Sequence, residues 1–435
     1  MRQFKYIVLV LLGMSYWVDL FLVHALLMLV YALIVLVQDI GGRHLRRFDV
    51  STSYAFLLLI TSAAHFVALS GLTDDPWFFR KYYSAELSGQ AIFIFNLGSV
   101  LILEIMHLFI KEKDNPDSEG TDKLKIRFWP IFFASISIFI LVNFLNPLIW
   151  SMGSVGSFFS LIVQGSILLL SFIAHSTRRN IVVALLYTLF LSVWALQYSY
   201  LRMAILIPWV AYLSGDIMAS QSLYKVHNYS KWAIVLMILV FPPLFTFLGN
   251  KRAELYGGEK LSASVNWLYG NQEVEGQSVT SRLSIIPQVG SIIMLTRKNG
   301  YYNGETLEYF KYVFIPRFIW RDKPLIKQGQ WFAVEIGNAY YNRRGIANNS
   351  VNMTVPGEFY LNFGWPGLVL GCLLFGWIIA MVWNATDYNS LYGWVFRFYL
   401  IFLGLFSLGA DLQVIPTLVA YLILYKSLIW VSRVF

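Results

Sequence analysis

Apolar runs about as long as a bilayer is thick recur from one end of the chain to the other, separated by short polar segments rich in Lys and Arg. A helix needs about 20 apolar residues to cross hydrocarbon. Residues 5–38 exceed one span, and Ser15-Tyr16-Trp17-Val18-Asp19 predicts a break into two helices. Single spans are predicted at 52–71, 89–110, 128–149, 155–174, 181–198, 202–219, 231–248, 359–383, 395–410 and 413–430. The alternating segments of a membrane β-barrel are absent from this pattern. The short basic segments at 41–49, 111–127, 175–180 and 224–231 fall on one side only if residues 5–38 count as two spans, and the positive-inside rule makes that side, and both ends, cytoplasmic. The pattern predicts an all-α polytopic membrane protein of about twelve transmembrane helices: nine in 1–248, a large outer loop at 249–356, and three in 357–435.

Within that loop, Ser284 reads as an N-cap and Pro287 suits a first helical turn. Ile285, Ile286, Val289, Ile292 and Ile293 then share one face, predicting an amphipathic helix over 284–296 at the membrane surface. "NGYYNG" at 299–304 reads as a turn. Residues 305–315 predict a second, aromatic-rich helix that Pro316 ends.

Composition agrees: 57% of residues are hydrophobic and 13% charged, against about 25% charged in soluble proteins. The net charge of +9 reflects cytoplasmic anchoring residues and gives no case for nucleic acid. A single cysteine, Cys372, excludes an intramolecular disulfide. The first apolar run lacks a small-residue cleavage site, so no cleavable signal peptide is expected. The loop carries thirteen Lys/Arg against eight Asp/Glu, which does not bar it from the outer face, because long loops translocate largely regardless of charge.

Candidate chemistry concentrates in and around the loop. Arg252, Arg282, Arg317, Arg321 and Lys323 lie in it, and Arg202 sits at the outer end of its span. Guanidinium forks hold phosphate oxygens through charge-assisted bonds of about 1.5–3 kcal/mol each; snorkelling to headgroups is the plainer role. Arg297, Arg343 and Arg344 read as solvated. Glu254 after one span and Glu358 before the next are the candidate proton acceptors, with helix capping the alternative for Glu358 and ion pairing that for Asp322. None of the six histidines, His24, His44, His65, His107, His175 and His227, falls in the loop. No Cys/His metal spacing, phosphate-binding glycine loop or nucleophile elbow is present. Asp74-Asp75 reads as a cap before Pro76 rather than a metal pair, so neither metal nor cofactor is expected. Trp267, Tyr269, Tyr301, Tyr302, Trp320, Trp331, Tyr340 and Tyr341 offer faces for sugar rings or for the membrane interface.

"FIPRFIWRDKP", a Gly/Asn-rich stretch and "TVPGEFYLNFGWPGLVLGCLLFG" together resemble the closing segment of the bacterial oligosaccharide repeat-unit (O-antigen, Wzy-type) polymerases, over 249–376 and in the topology. The resemblance implies a GT-C-like glycosyltransferase in the bacterial inner membrane with its active site facing the periplasm. Its substrates would be oligosaccharides on undecaprenyl pyrophosphate, with a chain-length regulator and a flippase as candidate partners. The related ligases use a histidine in the large loop, which this loop lacks. A ligase and a transporter of the same lipid-linked sugars are the alternatives. A transporter predicts internal repeats, and none is evident; a purely structural scaffold would not need the arginine cluster.

Overall fold

The computed structural model describes residues 2–17, 21–41, 49–69, 85–110, 127–144, 154–198, 202–220, 227–235, 284–313, 326–337 and 350–386, with shorter pieces at 239–244, 315–347 and 393–427. These residues form helices and no extended strand; one isolated bridge pairs Tyr341 with Ala347. In chain order the helices are α1 (Arg2–Trp17), α2 (Phe21–Gly41), α3 (Val50–Leu69), α4 (Ala85–Phe109), α5 (Phe128–Phe144), α6 (Ser154–Thr177), α7 (Ile181–Tyr198), α8 (Arg202–Ser220), α9 (Ile286–Asn299), α10 (Gln328–Glu335) and α11 (Val355–Asn384), with a 3₁₀ turn at Glu305–Lys311 between α9 and α10. Among the described residues, four segments are long and apolar enough to cross a membrane: Phe21–Asp39, Val50–Val67, Glu86–Phe109 and Val355–Asn384. Lys5–Tyr16, Phe128–Phe144, Ile162–Thr177 and Ile181–Ala195 are shorter apolar helices. The predicted break in 5–38 falls between α1 and α2, within the stretch the pattern marked.

The buried residues form two cores. The first joins α1–α4 to α9 and α11 through residues such as Met28, Leu58, Phe95, Ile292 and Phe375. The second joins α5–α8 around Phe128, Ile167, Tyr187 and Tyr212. The stretch 396–401 serves both, Leu400 in the first core and Phe398 in the second. Large apolar side chains on the outer faces stay exposed, Phe133, Phe144, Leu186 and Leu370 among them, as expected where lipid is the solvent.

Contacts fix the direction of each helix in the first bundle. Lys5 at the start of α1 bonds Glu104 late in α4 at 2.8 Å. Asp39 at the end of α2 meets His107 near the end of α4 at 3.3 Å and Thr52 at the start of α3 at 3.4 Å. Asn384 at the end of α11 donates to the carbonyl of Phe109. α1 and α3 therefore run one way and α2, α4 and α11 the other, the alternation that the basic loops require. α9, in the described part of the insert, sits at the opposite end: His65 late in α3 accepts from the N–H of Ile285, and Gln90 early in α4 accepts from Arg297.

Candidate site at the broken helix and its insert

α11 is two helices. Gly364 has φ 63° and ψ −148°, a non-helical conformation inside the run. Only glycine adopts this region freely. Pro366 follows, with no N–H to continue the ladder and a φ suited to a first helical turn. A Cβ at Gly364 would lie 2.7 Å from the Tyr301 ring. The helix after the break, 365–384, is about 30 Å long at 1.5 Å per residue, enough by itself for a hydrocarbon core. The preceding helix, 355–363, stands apart from the span that hydropathy alone predicts to begin at 359. Thr354 opens it, with its side chain accepting from Gly357 N–H. At φ 62° and ψ 149°, Thr354 occupies nearly the same rare region as Gly364, and such strain costs on the order of 1–3 kcal/mol for a residue with a Cβ.

The break frees carbonyls, and the insert takes them. Tyr302 N–H donates to Leu361 O (3.1 Å) and Asn303 N–H to Asn362 O (2.9 Å). The second of these would otherwise face the nitrogen of Pro366. Asn362 is fully buried and completes the joint. Its Oδ1 accepts from Gly304 N–H at 3.0 Å, and its Nδ2 donates to Thr306 Oγ1 at 2.7 Å and to Glu358 O at 2.8 Å. The predicted turn at 299–304 supplies the backbone for this: Gly300, Asn303 and Gly304 all have positive φ.

α9 begins at Ile286, two residues later than predicted, with Pro287 in its first turn. Ile285 rather than Ser284 is the N-cap, and no side chain caps it; Ser284, one position further out, accepts from Ile286 N–H at 3.3 Å. Ile286, Val289, Ile292 and Ile293 are buried, as their spacing predicts. They pack against α4 and α11 rather than lying in a lipid surface. Residues 305–311 form a 3₁₀ turn instead of the longer helix predicted for 305–315, started by Gly304 in the left-handed region and, at seven residues, long for that tighter winding. Here Lys311 bonds Glu308 at 2.8 Å, and its ammonium holds that exposed carboxyl below the usual range.

Of the predicted site residues, two have described side chains. Glu358 is fully buried in the first turn of the short helix, and its Oε2 accepts from Leu412 N–H at 2.8 Å. That bond ties α11 to the turn before the helical stretch 414–416, while the cap of Glu358's own helix is Thr354, not Glu358. Lys323 is half-buried and donates to Val313 O (3.0 Å) and Ile315 O (2.8 Å), closing the segment before Pro316. Arg202 is the first residue of α8, and its side chain lies outside the described residues. Glu254, Arg252, Arg282, Arg317 and Arg321 also lie outside them, as do Trp267, Tyr269 and Asp74-Asp75. Arg297 is half-exposed, between Gln90 at 2.8 Å and Glu86 at 3.7 Å.

An aromatic chain crosses this end of the bundle. Tyr16 stacks on Phe93 at 4.0 Å, Phe93 meets Trp365 at 5.9 Å, Trp365 meets Tyr360 at 5.4 Å, and Tyr360 meets Tyr301 at 6.0 Å. Tyr301, Trp320, Tyr340 and Tyr341 keep large exposed surfaces. Sequence reasoning missed His65 and Asn362. The first acts on a helix 220 residues away, which no local pattern reveals. The second sits in "YLNFGWP", where an amide before a Gly-x-Pro break was the available signal. No known protein family, curated protein or solved structure matches the chain.

Proposed function

We propose that the chain is a membrane glycosyltransferase that polymerises lipid-pyrophosphate-linked oligosaccharide repeat units on the outer face of a bacterial inner membrane, within a GT-C-like bundle of about twelve spans. The observation that carries this reading is the backbone-to-backbone fastening of the cation-rich insert onto the broken start of α11. It holds residues 302–303 of the insert against α11, at the end of the first bundle away from its Lys5–Glu104 and Asp39–His107 contacts; in this reading Arg282, Arg317 and Arg321 act from that end. In the reaction, an acceptor-sugar hydroxyl oxygen attacks the anomeric carbon of the donor. The bond from that carbon to the pyrophosphate oxygen breaks, and the lipid pyrophosphate leaves with the electron pair. Guanidinium groups stabilise the charge it gains, most strongly in the transition state. The hydroxyl proton passes to a carboxylate; Glu358 Oε2 already accepts from Leu412 N–H, and this reading gives the role to Glu254.

The broken helix also invites the transporter reading, because such breaks bind ions through freed carbonyls. Here the carbonyls of Leu361 and Asn362 are occupied by Tyr302 and Asn303 N–H groups, which favours the enzyme. Incubating purified protein with lipid-linked oligosaccharide decides among the readings. A ladder of products is expected; a single addition would mean a ligase, and unchanged substrate would favour transport.

A further inference from the structure

Where α6 stops, α7 begins and α8 ends, three ligating side chains converge. His175 lies in the last turn of α6, Asp216 near the end of α8, and His227 immediately before the helical stretch 228–235. One ligand atom from each lies within 4.8 Å of the others. His227 Nδ1 is 2.7 Å and His175 Nε2 3.8 Å from Asp216 Oδ1. Asp216 Oδ2 accepts from the His227 backbone N–H at 3.1 Å. The close passage of α6 over α8 makes this possible: a Cβ at Gly215 would lie 2.3 Å from Leu168 O, so only glycine fits beside Asp216.

Two observations separate this cluster from a chance meeting. The side chains of Asp216 and His175 are 0% exposed, and the ion partners of Asp216 among the described residues are the two imidazoles. A buried carboxylate is costly unless hydrogen-bond donors or a cation compensate it, and here the facing side chains are two imidazoles, which are also metal ligands. Secondly, His175 Nδ1 lies 2.8 Å from Ser171 O, so this nitrogen carries the hydrogen and donates it there. Nε2 of the neutral ring is then a lone pair directed at the carboxylate. Two lone-pair atoms facing one another in a buried site repel unless a cation stands between them. Holding the remote imidazole N–H on a backbone carbonyl is also how proteins orient metal-bound histidines. The Tyr212 hydroxyl, 3.4 Å from His175 Nε2, and Ser171 Oγ, donating to Tyr212 O at 2.6 Å, complete the surroundings. His227 is 28% exposed, which leaves a route for an ion and for a water as fourth ligand.

We infer that His175, Asp216 and His227 form a binding site for one divalent transition metal of the zinc type. Two imidazole nitrogens and one carboxylate oxygen suit zinc and disfavour magnesium and calcium, which take oxygen ligands. The ion displaces the hydrogen shared by His227 and Asp216 and fastens α6, α8 and the segment beginning at 227 together. The site belongs to the second bundle, apart from the insert, and holds whether or not the chain transfers sugars.

The test is metal uptake by the full-length chain in detergent, stripped with chelator and dialysed separately against zinc and magnesium, with bound metal measured by elemental analysis. Wild type should keep about one zinc per chain and no magnesium. Zinc affinity, from competition with a chromophoric chelator, should fall by more than about tenfold in His175→Ala and in His227→Gln. The visible absorption of bound cobalt(II) should disappear in both. Wild type that retains no zinc overturns the site without reference to any variant. Folded His227→Gln that binds zinc like wild type, or magnesium uptake equal to zinc, overturns it too. His227 is partly exposed, so this substitution leaves the packed core intact.

Discussion

Glu358 and Asp216 are both fully buried carboxylates, and the two bundles meet that problem differently. In the first bundle a backbone N–H, that of Leu412, answers Glu358. In the second, two imidazoles and one backbone N–H surround Asp216. A neutral donor stabilises a carboxylate without a second charge, so Glu358 works as a structural joint between helices. Imidazoles bring ligating nitrogens, so Asp216 sits in a chemically competent cluster. The first bundle also holds a Lys5–Glu104 ion pair, and the second gathers three ligating side chains at one end. The lesson is that a buried carboxylate signals chemistry only through the kind of group that faces it.

The largest test of this division lies in the insert. If Arg317 holds the donor pyrophosphate, Arg317→Lys keeps the charge and loses the fork. Activity at equal protein level should fall by about 2–4 kcal/mol of transition-state stabilisation. Wild-type polymer length and rate in this variant would remove Arg317 from the site and leave Arg252 and Arg202 as the stronger cations.

Next comes the joint at Gly364 and Asn362. Gly364→Ala puts a Cβ at φ 63° and 2.7 Å from the Tyr301 ring, so thermal unfolding in detergent should show a loss of about 1–3 kcal/mol. A variant as stable as wild type would mean that the helix does not break there. Asn362→Leu leaves Gly304 N–H and Thr306 Oγ1 without the amide they bond. The expected loss is about 1–3 kcal/mol, and limited proteolysis should cut the insert before the spans. Equal protease resistance would show that the joint does not depend on this amide.

The smallest effects separate the two carboxylates. Glu358→Gln keeps an oxygen for Leu412 N–H, so stability should drop by less than about 1 kcal/mol and turnover should persist. Abolished turnover with intact folding would make Glu358 the proton acceptor after all. Chelator should leave the initial rate of glycosyl transfer within a small factor while lowering the unfolding temperature, because the proposed metal holds the second bundle and not the reacting atoms. A rate lost to chelator and restored by magnesium would place a metal at the reacting atoms.

Much of this was legible in the chain. The break in 5–38, the four long spans, the buried face of α9 and the turn at 299–304 follow from local rules: apolar length, a period near 3.6, and the positive φ that Gly and Asn tolerate. The bounds of α11 were only half legible. Hydropathy reads 359–383 as one run because it averages over Gly364 and Pro366, whereas backbone geometry breaks the helix between them.

The sequence by itself determined that the chain is helical and built for a membrane, and which segment gathers the cations, because those properties depend on composition and on neighbours along the chain. Only the tertiary structure decided that Glu358 accepts from Leu412 N–H, that His65 reaches the insert, and that His175, Asp216 and His227 meet. The physical reason is separation: these groups lie 54, 220 and up to 52 positions apart, and no spacing rule spans such distances. Their meeting follows from how helices cross, at a glycine in α8 and at a break in α11, where backbones approach more closely than side chains ordinarily allow.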